Sequence, residues 1–219
     1  MNQQAKGYLL GAIAAASYGM NPLFALPLYE VGMTSESVLF WRYLFALPVL
    51  AIMLIARGRN FKLEKRQLLP LVSLGILLAL SSLALFESYH FMAAGIASTL
   101  LFVYPIMVAL IMTLCFHEKL TKLTVFCIVI ALSGIGLLYQ GDDGDTLSLL
   151  GVLLVMASSL FYAIYIVAVN RPFLQGIATL KLTFYTLLFG VFLFAFQVDF
   201  KNACFSTYCH GSQRNHVSP

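Results

Sequence analysis

An all-α, polytopic membrane bundle of about seven transmembrane helices is the fold this sequence predicts, and three observations predict it. Hydrophobic residues make up 61% of its 219 residues and charged residues 10%, against roughly half and a quarter in soluble domains. The apolar residues come in continuous runs, each long enough to cross a core of about 30 Å as a helix rising about 1.5 Å per residue. Strands of an outer-membrane barrel would alternate instead. The basic residues, finally, sort by loop, so the net charge of +4 is not a nucleic-acid signal.

The first run is Gly7–Tyr29, after Lys6. Ala14-Ala15-Ala16-Ser17 also fits a signal-peptide cleavage site, but no secreted domain follows, which favours a span. Asn21-Pro22 is predicted to break this helix, and Pro27 follows. Carbonyls freed by such a break must face protein or a wet cavity rather than lipid. The second run, Ser35–Ala56, contains Phe40-Trp41-Arg42-Tyr43. A charge inside a span is a functional hypothesis by default. Arg42 lies close enough to the helix start to snorkel to the headgroups instead, and both readings stand at this point. The third run, Leu68–Ser88, carries Pro70 in its first turn and Glu87 at its end. Glu87 is a candidate for proton coupling, although an interfacial carboxylate with no role is the plainer reading.

The fourth run, Ala93–Cys115, is the centre of the pattern. It opens on small residues (Ala93, Ala94, Gly95, Ala97, Ser98, Thr99), carries Pro105 mid-span, and stops at His117-Glu118-Lys119. Small residues permit close helix approach or leave room for a solute. The proline removes one backbone hydrogen bond and kinks the helix, which by itself implies no solute role. The fifth run is Leu123–Tyr139, with Gly134 and Gly136. The acidic turn Gln140–Asp145 superficially resembles a calcium loop but lacks the closing glutamate. The sixth run is Leu147–Val169 and the seventh about Ala178–Phe196. Residues 198–219 are polar and expected to be unstructured. Cys204, Cys209, His210 and His216 fit no established zinc spacing, so no metal site is expected. Cys115 and Cys127 read as buried thiols.

With seven spans, Lys6, Arg57, Arg59, Lys62, Lys65, Arg66, Lys119, Lys122, Arg171 and Lys181 fall on one side. Glu30, Glu36, Asp142, Asp143 and Asp145 fall on the other, with no Lys or Arg before the tail. The positive-inside rule then places the N-terminus in the cytoplasm and the tail outside. A shift of 144 residues lays the sixth and seventh runs on the first and second, pairing Gly7 with Gly151, Tyr18 with Tyr162, and Phe40 with Phe184. Five spans separate the copies, and an odd number inverts the second. Inverted repeats are the architecture of many secondary transporters.

These residues together resemble the EamA-type permeases of the drug/metabolite transporter superfamily. The likeness rests on Gly7-x3-Gly11 with Asn21-Pro22, Phe40-x-Arg42, Ala93–Pro105, Phe116-x-Glu118-Lys119-Leu120, Gly134-x-Gly136 and the Ser158–Tyr165 stretch, in that order. The resemblance implies a 5+5 inverted repeat, with a first five-helix repeat at 5–140 and two helices of a second at 147–197. It also implies export of an amino acid, metabolite or drug, driven by a gradient. Against a complete relative the resemblance leaves the last three helices without a counterpart, with residues 198–219 in their place; premature termination, a frame change or a real short exoplasmic tail would each give this. Part of the Ala93–Tyr104 face is then expected to lack a partner.

On this reading Tyr18, Asn21, Ser98, Thr99, Tyr104, Ser158 and Tyr162 line a solute path near the midplane, Arg42 meets an anionic group and Glu87 couples protons. Interhelical bonding is the competing role for each Tyr and Ser. The expected location is a plasma or bacterial inner membrane, and the expected partners are lipid, a small solute and a possible second copy of the chain. No cofactor and no nucleic-acid partner is expected. An intramembrane enzyme is disfavoured, since His-Glu-x-x-His and Gly-x-Ser-x-Gly are absent and the four His are scattered. A scaffold or incomplete bundle that needs a partner is the alternative to a working transporter.

Overall fold

The computed structural model describes residues 3–63, 65–117, 126, 129–130, 133–134, 148–171, 174 and 177–214. Among the described residues there are eight helices and no strand: α1 Gln3–Gly19, α2 Asn21–Glu30, α3 Ser35–Ala56, α4 Lys65–Ser88, α5 Ala94–Leu101, α6 Tyr104–Phe116, α7 Leu149–Val169 and α8 Thr179–Arg214. α1 with α2, and α5 with α6, are each one span interrupted at a single place. Six spans of 19 to 24 residues are long and apolar enough to cross a bilayer. The chain is a multi-pass membrane protein. The expected fifth span, Leu123–Tyr139, lies largely outside the described residues, where only Phe126, Val129, Ile130, Ser133 and Gly134 are described, all helical. The acidic turn at Gln140–Asp145 also lies outside them.

Helices are the form these segments must take, because lipid offers no partner for backbone N–H and C=O groups. Large apolar side chains such as Ile52, Ile55, Leu69, Leu114 and Leu153 point outward, as suits a hydrocarbon solvent. Helix ends fall at specific signals. α2 ends before Gly32 (φ 91°) and α3 before Gly58 (φ 61°), where the left-handed backbone needs no Cβ. α6 stops at His117, itself left-handed at φ 55°, with its N–H on the carbonyls of Met112 and Thr113. That is where the sequence predicts the stop. α8 differs from expectation: it runs to Arg214 through a segment expected to be an unstructured tail. That segment holds no proline and no glycine before Gly211, so nothing in it interrupts the helical ladder.

α4 is the hub, packed on α3, α5, α7 and α8. Gly75 brings its backbone against α8: a Cβ there would lie 2.7 Å from the Phe189 Cβ and 2.9 Å from the Thr186 carbonyl. Ser81 and Ser158 lock α4 to α7 reciprocally. The Ser81 hydroxyl donates to the Ser158 carbonyl (3.0 Å) and the Ser158 hydroxyl to the Ser81 carbonyl (2.7 Å). α3 packs on α8 through Tyr43, whose ring meets Phe194 edge-on at 5.4 Å and whose hydroxyl bonds Ser82 at 2.7 Å.

Two expectations are corrected here. The face expected to be unpaired is largely covered, since Ala94, Ala97 and Leu101 are buried and α5 packs on α7. The open surface is instead the first span, only 6% of which is buried. Cys115, expected as a buried thiol, is exposed near the end of α6. No residue of α6 is fully buried.

Candidate solute-binding site

The interruption in the first span positions the site. α1 ends at Gly19, Met20 stays right-handed (φ −77°, ψ −7°), and α2 restarts at Asn21 with Pro22 in its first turn. The expected break is therefore a one-residue hitch, not an unwound loop. Pro22 has no N–H, so the Tyr18 carbonyl loses its helical donor. Asn21 faces a cavity of about 540 Å³ between α2, α3 and the end of α4. Phe24, Trp41, Phe45 and Phe86 line it together with aliphatic residues of α2 and α3, and Asn21 and Arg42 supply its polarity. The Arg42 guanidinium stands 5.6 Å from the centre of the Phe86 ring, a favourable cation–π geometry. Apolar walls with a few polar groups are the usual composition of a small-molecule site.

Beside this cavity lies a cluster of phenols. Tyr18, exposed at 46%, lies within electrostatic range of Tyr89, Tyr162, Arg42 and Tyr104. Tyr104 meets Tyr162 edge-on at 5.0 Å, and Tyr165 stacks on Tyr162 at 6.0 Å. Tyr89, in the turn between the third and fourth spans, interacts with the Ser98 hydroxyl. Burial pushes the Tyr89 phenol up, against the opposing pull of Ser98 and Arg42, so it stays a protonated donor at neutral pH.

Six of the nine residues singled out from the sequence thus meet: Asn21 and Arg42 on the cavity, with Tyr18, Ser98, Tyr104 and Tyr162 around the phenol cluster. Three do not. Thr99 turns its hydroxyl back to the Gly95 carbonyl at 2.9 Å; Ser98 makes the same bond to the Ala94 carbonyl at 2.6 Å but also interacts with Tyr89. Ser158 is fully buried and both its polar groups serve the Ser81 lock, which makes it a packing residue. Glu87 interacts electrostatically with Tyr29 and is not among the residues that line the cavity. Sequence reasoning missed Phe86 and Tyr89 as site residues. Their signal was present: they flank Glu87 and Ser88, where an apolar helix ends in mixed aromatic and polar residues.

The kink of the fourth span has its own device. Pro105 cannot bond the Leu101 carbonyl, and Ser159 of α7 donates to that carbonyl instead at 3.3 Å. The site's far wall, carrying Tyr104, is in this way tied to the helix carrying Tyr162.

Residues 5–140 match the EamA-like transporter family. Searches among curated proteins and among solved structures found no match. The family match spans more than half of the chain, the same stretch that supplies Asn21, Arg42, Ser98 and Tyr104, and with it the chain belongs to the EamA-like transporter family.

Proposed function

We propose that the protein is a secondary transporter of a small amphipathic solute with an anionic group, such as an amino acid, a metabolite or an acidic drug. The observation that carries this reading is Arg42 in an aromatic-walled cavity, next to the interrupted first span. Arg42 would take the anionic end, the ring walls the apolar part, and the phenols would hand the solute along by hydrogen bonds. The proposed direction is outward. The proposed architecture has seven spans, the N-terminus in the cytoplasm, and the sixth and seventh spans as an inverted copy of the first two. No nucleotide-binding motif supports direct ATP use. Glu87 remains the proposed proton-coupling group, close to Tyr29.

Flux of radiolabelled amino acids and organic anions into and out of proteoliposomes tests this reading. Saturable flux that depends on Arg42 is the expected result. Flux of cationic drugs alone, indifferent to Arg42, would sink it.

A second reading is favoured by the first span. A Cβ on Gly7, Gly11 or Gly19 would meet nothing within 4 Å, so the Gly7-x3-Gly11 face is unpacked. Such faces associate by close helix approach. On this reading the working unit, or a non-transporting scaffold, is completed by a second copy of the chain. Blue-native electrophoresis in mild detergent separates a monomer from such an assembly.

A further inference from the structure

A second cavity, of about 260 Å³, lies at the end of the bundle that carries the basic loops. It is lined by Arg59, Asn60 and Lys62 from the α3–α4 loop, Gln67 from α4, and Lys181 from α8. Among the described lining residues none is a carboxylate. Cations gathered without counter-charge repel one another, and a bound anion relieves that repulsion. The start of α8 adds to the field. Ala178 and Ile177 border the cavity, and the first N–H groups of a helix have no helical acceptor and carry a positive partial charge. The first turn of α8 holds no acidic residue to neutralise it.

The site is preformed. The Lys181 ammonium donates to the Lys62 carbonyl, which leaves further N–H donors for a ligand. The Tyr185 hydroxyl donates to the Phe61 carbonyl at 2.6 Å, and the Phe61 ring meets Phe184 edge-on at 5.7 Å. Loop and helix are thus pinned before any ligand arrives. The volume is just below the roughly 300 Å³ at which drug-sized pockets begin, which suits a headgroup-sized ligand. Leu68 and Leu69 stand exposed on the adjoining turn of α4.

We infer that this pocket binds a phosphate-bearing anion, with Arg59, Lys62 and Lys181 as its cationic contacts and Asn60 and Gln67 as neutral donors. The phosphate can belong to an anionic phospholipid headgroup or to a free phosphorylated solute. Basic pockets between helix ends recognise such groups. The pocket is separate from the Arg42 cavity, so this inference does not depend on the transported solute.

The test uses the full chain in neutral detergent micelles. Native mass spectrometry and thermal unfolding would be followed on titration with phosphatidylglycerol, with phosphatidylcholine, or with glycerol 3-phosphate. The expected result is one saturable site for phosphatidylglycerol and none for phosphatidylcholine. The double variant R59Q/K62Q should weaken that site about tenfold or more, at roughly one kcal/mol per cation. The double variant R57Q/R66Q removes the same charge outside the pocket and should change it less than twofold. Saturable stabilisation by glycerol 3-phosphate alone, lost in R59Q/K62Q, would assign the site to a free phosphate. Equal losses in both double variants, or no preference for any phosphate anion, would overturn the inference. If R59Q/K62Q fails to insert, R59Q alone carries the comparison with R57Q, because Arg59 is exposed and its truncation removes no core contact.

Discussion

Arg42 shows how one side chain can be read two ways until its neighbours are known. By position it can snorkel to the headgroups; by contact it borders a cavity with Asn21 and stands over Phe86. A planar guanidinium binds a carboxylate through two parallel hydrogen bonds, which an ammonium cannot do. Arg42→Lys is therefore expected to lower solute flux about tenfold or more, with expression and folding unchanged. Wild-type flux in that variant would return Arg42 to a snorkelling role. Gly75 is the opposite case, a residue defined by having no side chain. Its missing Cβ would sit 2.9 Å from a backbone carbonyl of α8, which cannot swing away. Gly75→Ala should separate α4 from α8 and destabilise the bundle by about 1–3 kcal/mol, the usual range for overpacking. Unfolding in mixed micelles measures this, and an unchanged midpoint would show that α8 shifts freely.

At the scale of elements, both interrupted spans follow one rule. Proline frees a carbonyl one turn back, and something must answer it. In the fourth span the answer is Ser159, 3.3 Å from the Leu101 carbonyl. Ser159→Ala would leave that carbonyl buried without a side-chain donor, at about 1–3 kcal/mol. The same substitution should also loosen the Tyr104–Tyr162 contact, so reduced flux with lower stability is the expected pair of results. Stability unchanged would mean the bond contributes nothing. In the first span the freed carbonyl is that of Tyr18, beside the phenol cluster. Hydrogen exchange at Tyr18–Leu23 should accordingly be faster than at Leu74–Ser81 of α4, the helix packed on α3, α5, α7 and α8. Equal protection in both segments would refute the interruption.

At the scale of the molecule, the charge pattern makes a claim about orientation that labelling can check. In a background with all native cysteines replaced by serine, Arg57→Cys should react with an impermeant maleimide only after the membrane is opened. Glu30→Cys should react in intact cells. The reverse pattern would invert the proposed topology. The first span, which packs weakly on the rest, is where a partner or lipid must complete the surface.

Several features of this protein were legible in the sequence because each depends on local chemistry. Run length and lack of charge determine that the segments span a bilayer. Pro22, Pro105 and the His117 stop determine where helices hitch or end, since each acts on its own backbone. Motif order was sufficient to suggest the family. Other features depend on which helices meet, and no local rule states that. Ser158 and Tyr162 lie on one helix a turn apart, and the sequence treats them alike. Only packing turns Ser158 into the lock with Ser81 and leaves Tyr162 among the phenols. The same is true of α5, whose small face is covered by α7, and of α1, which stays open. In lipid, apolar side chains gain nothing by facing a helix rather than a tail, so hydrophobicity marks the spans but not their neighbours. Close contact and interhelical hydrogen bonds choose the neighbours, and these exist only once the helices have met.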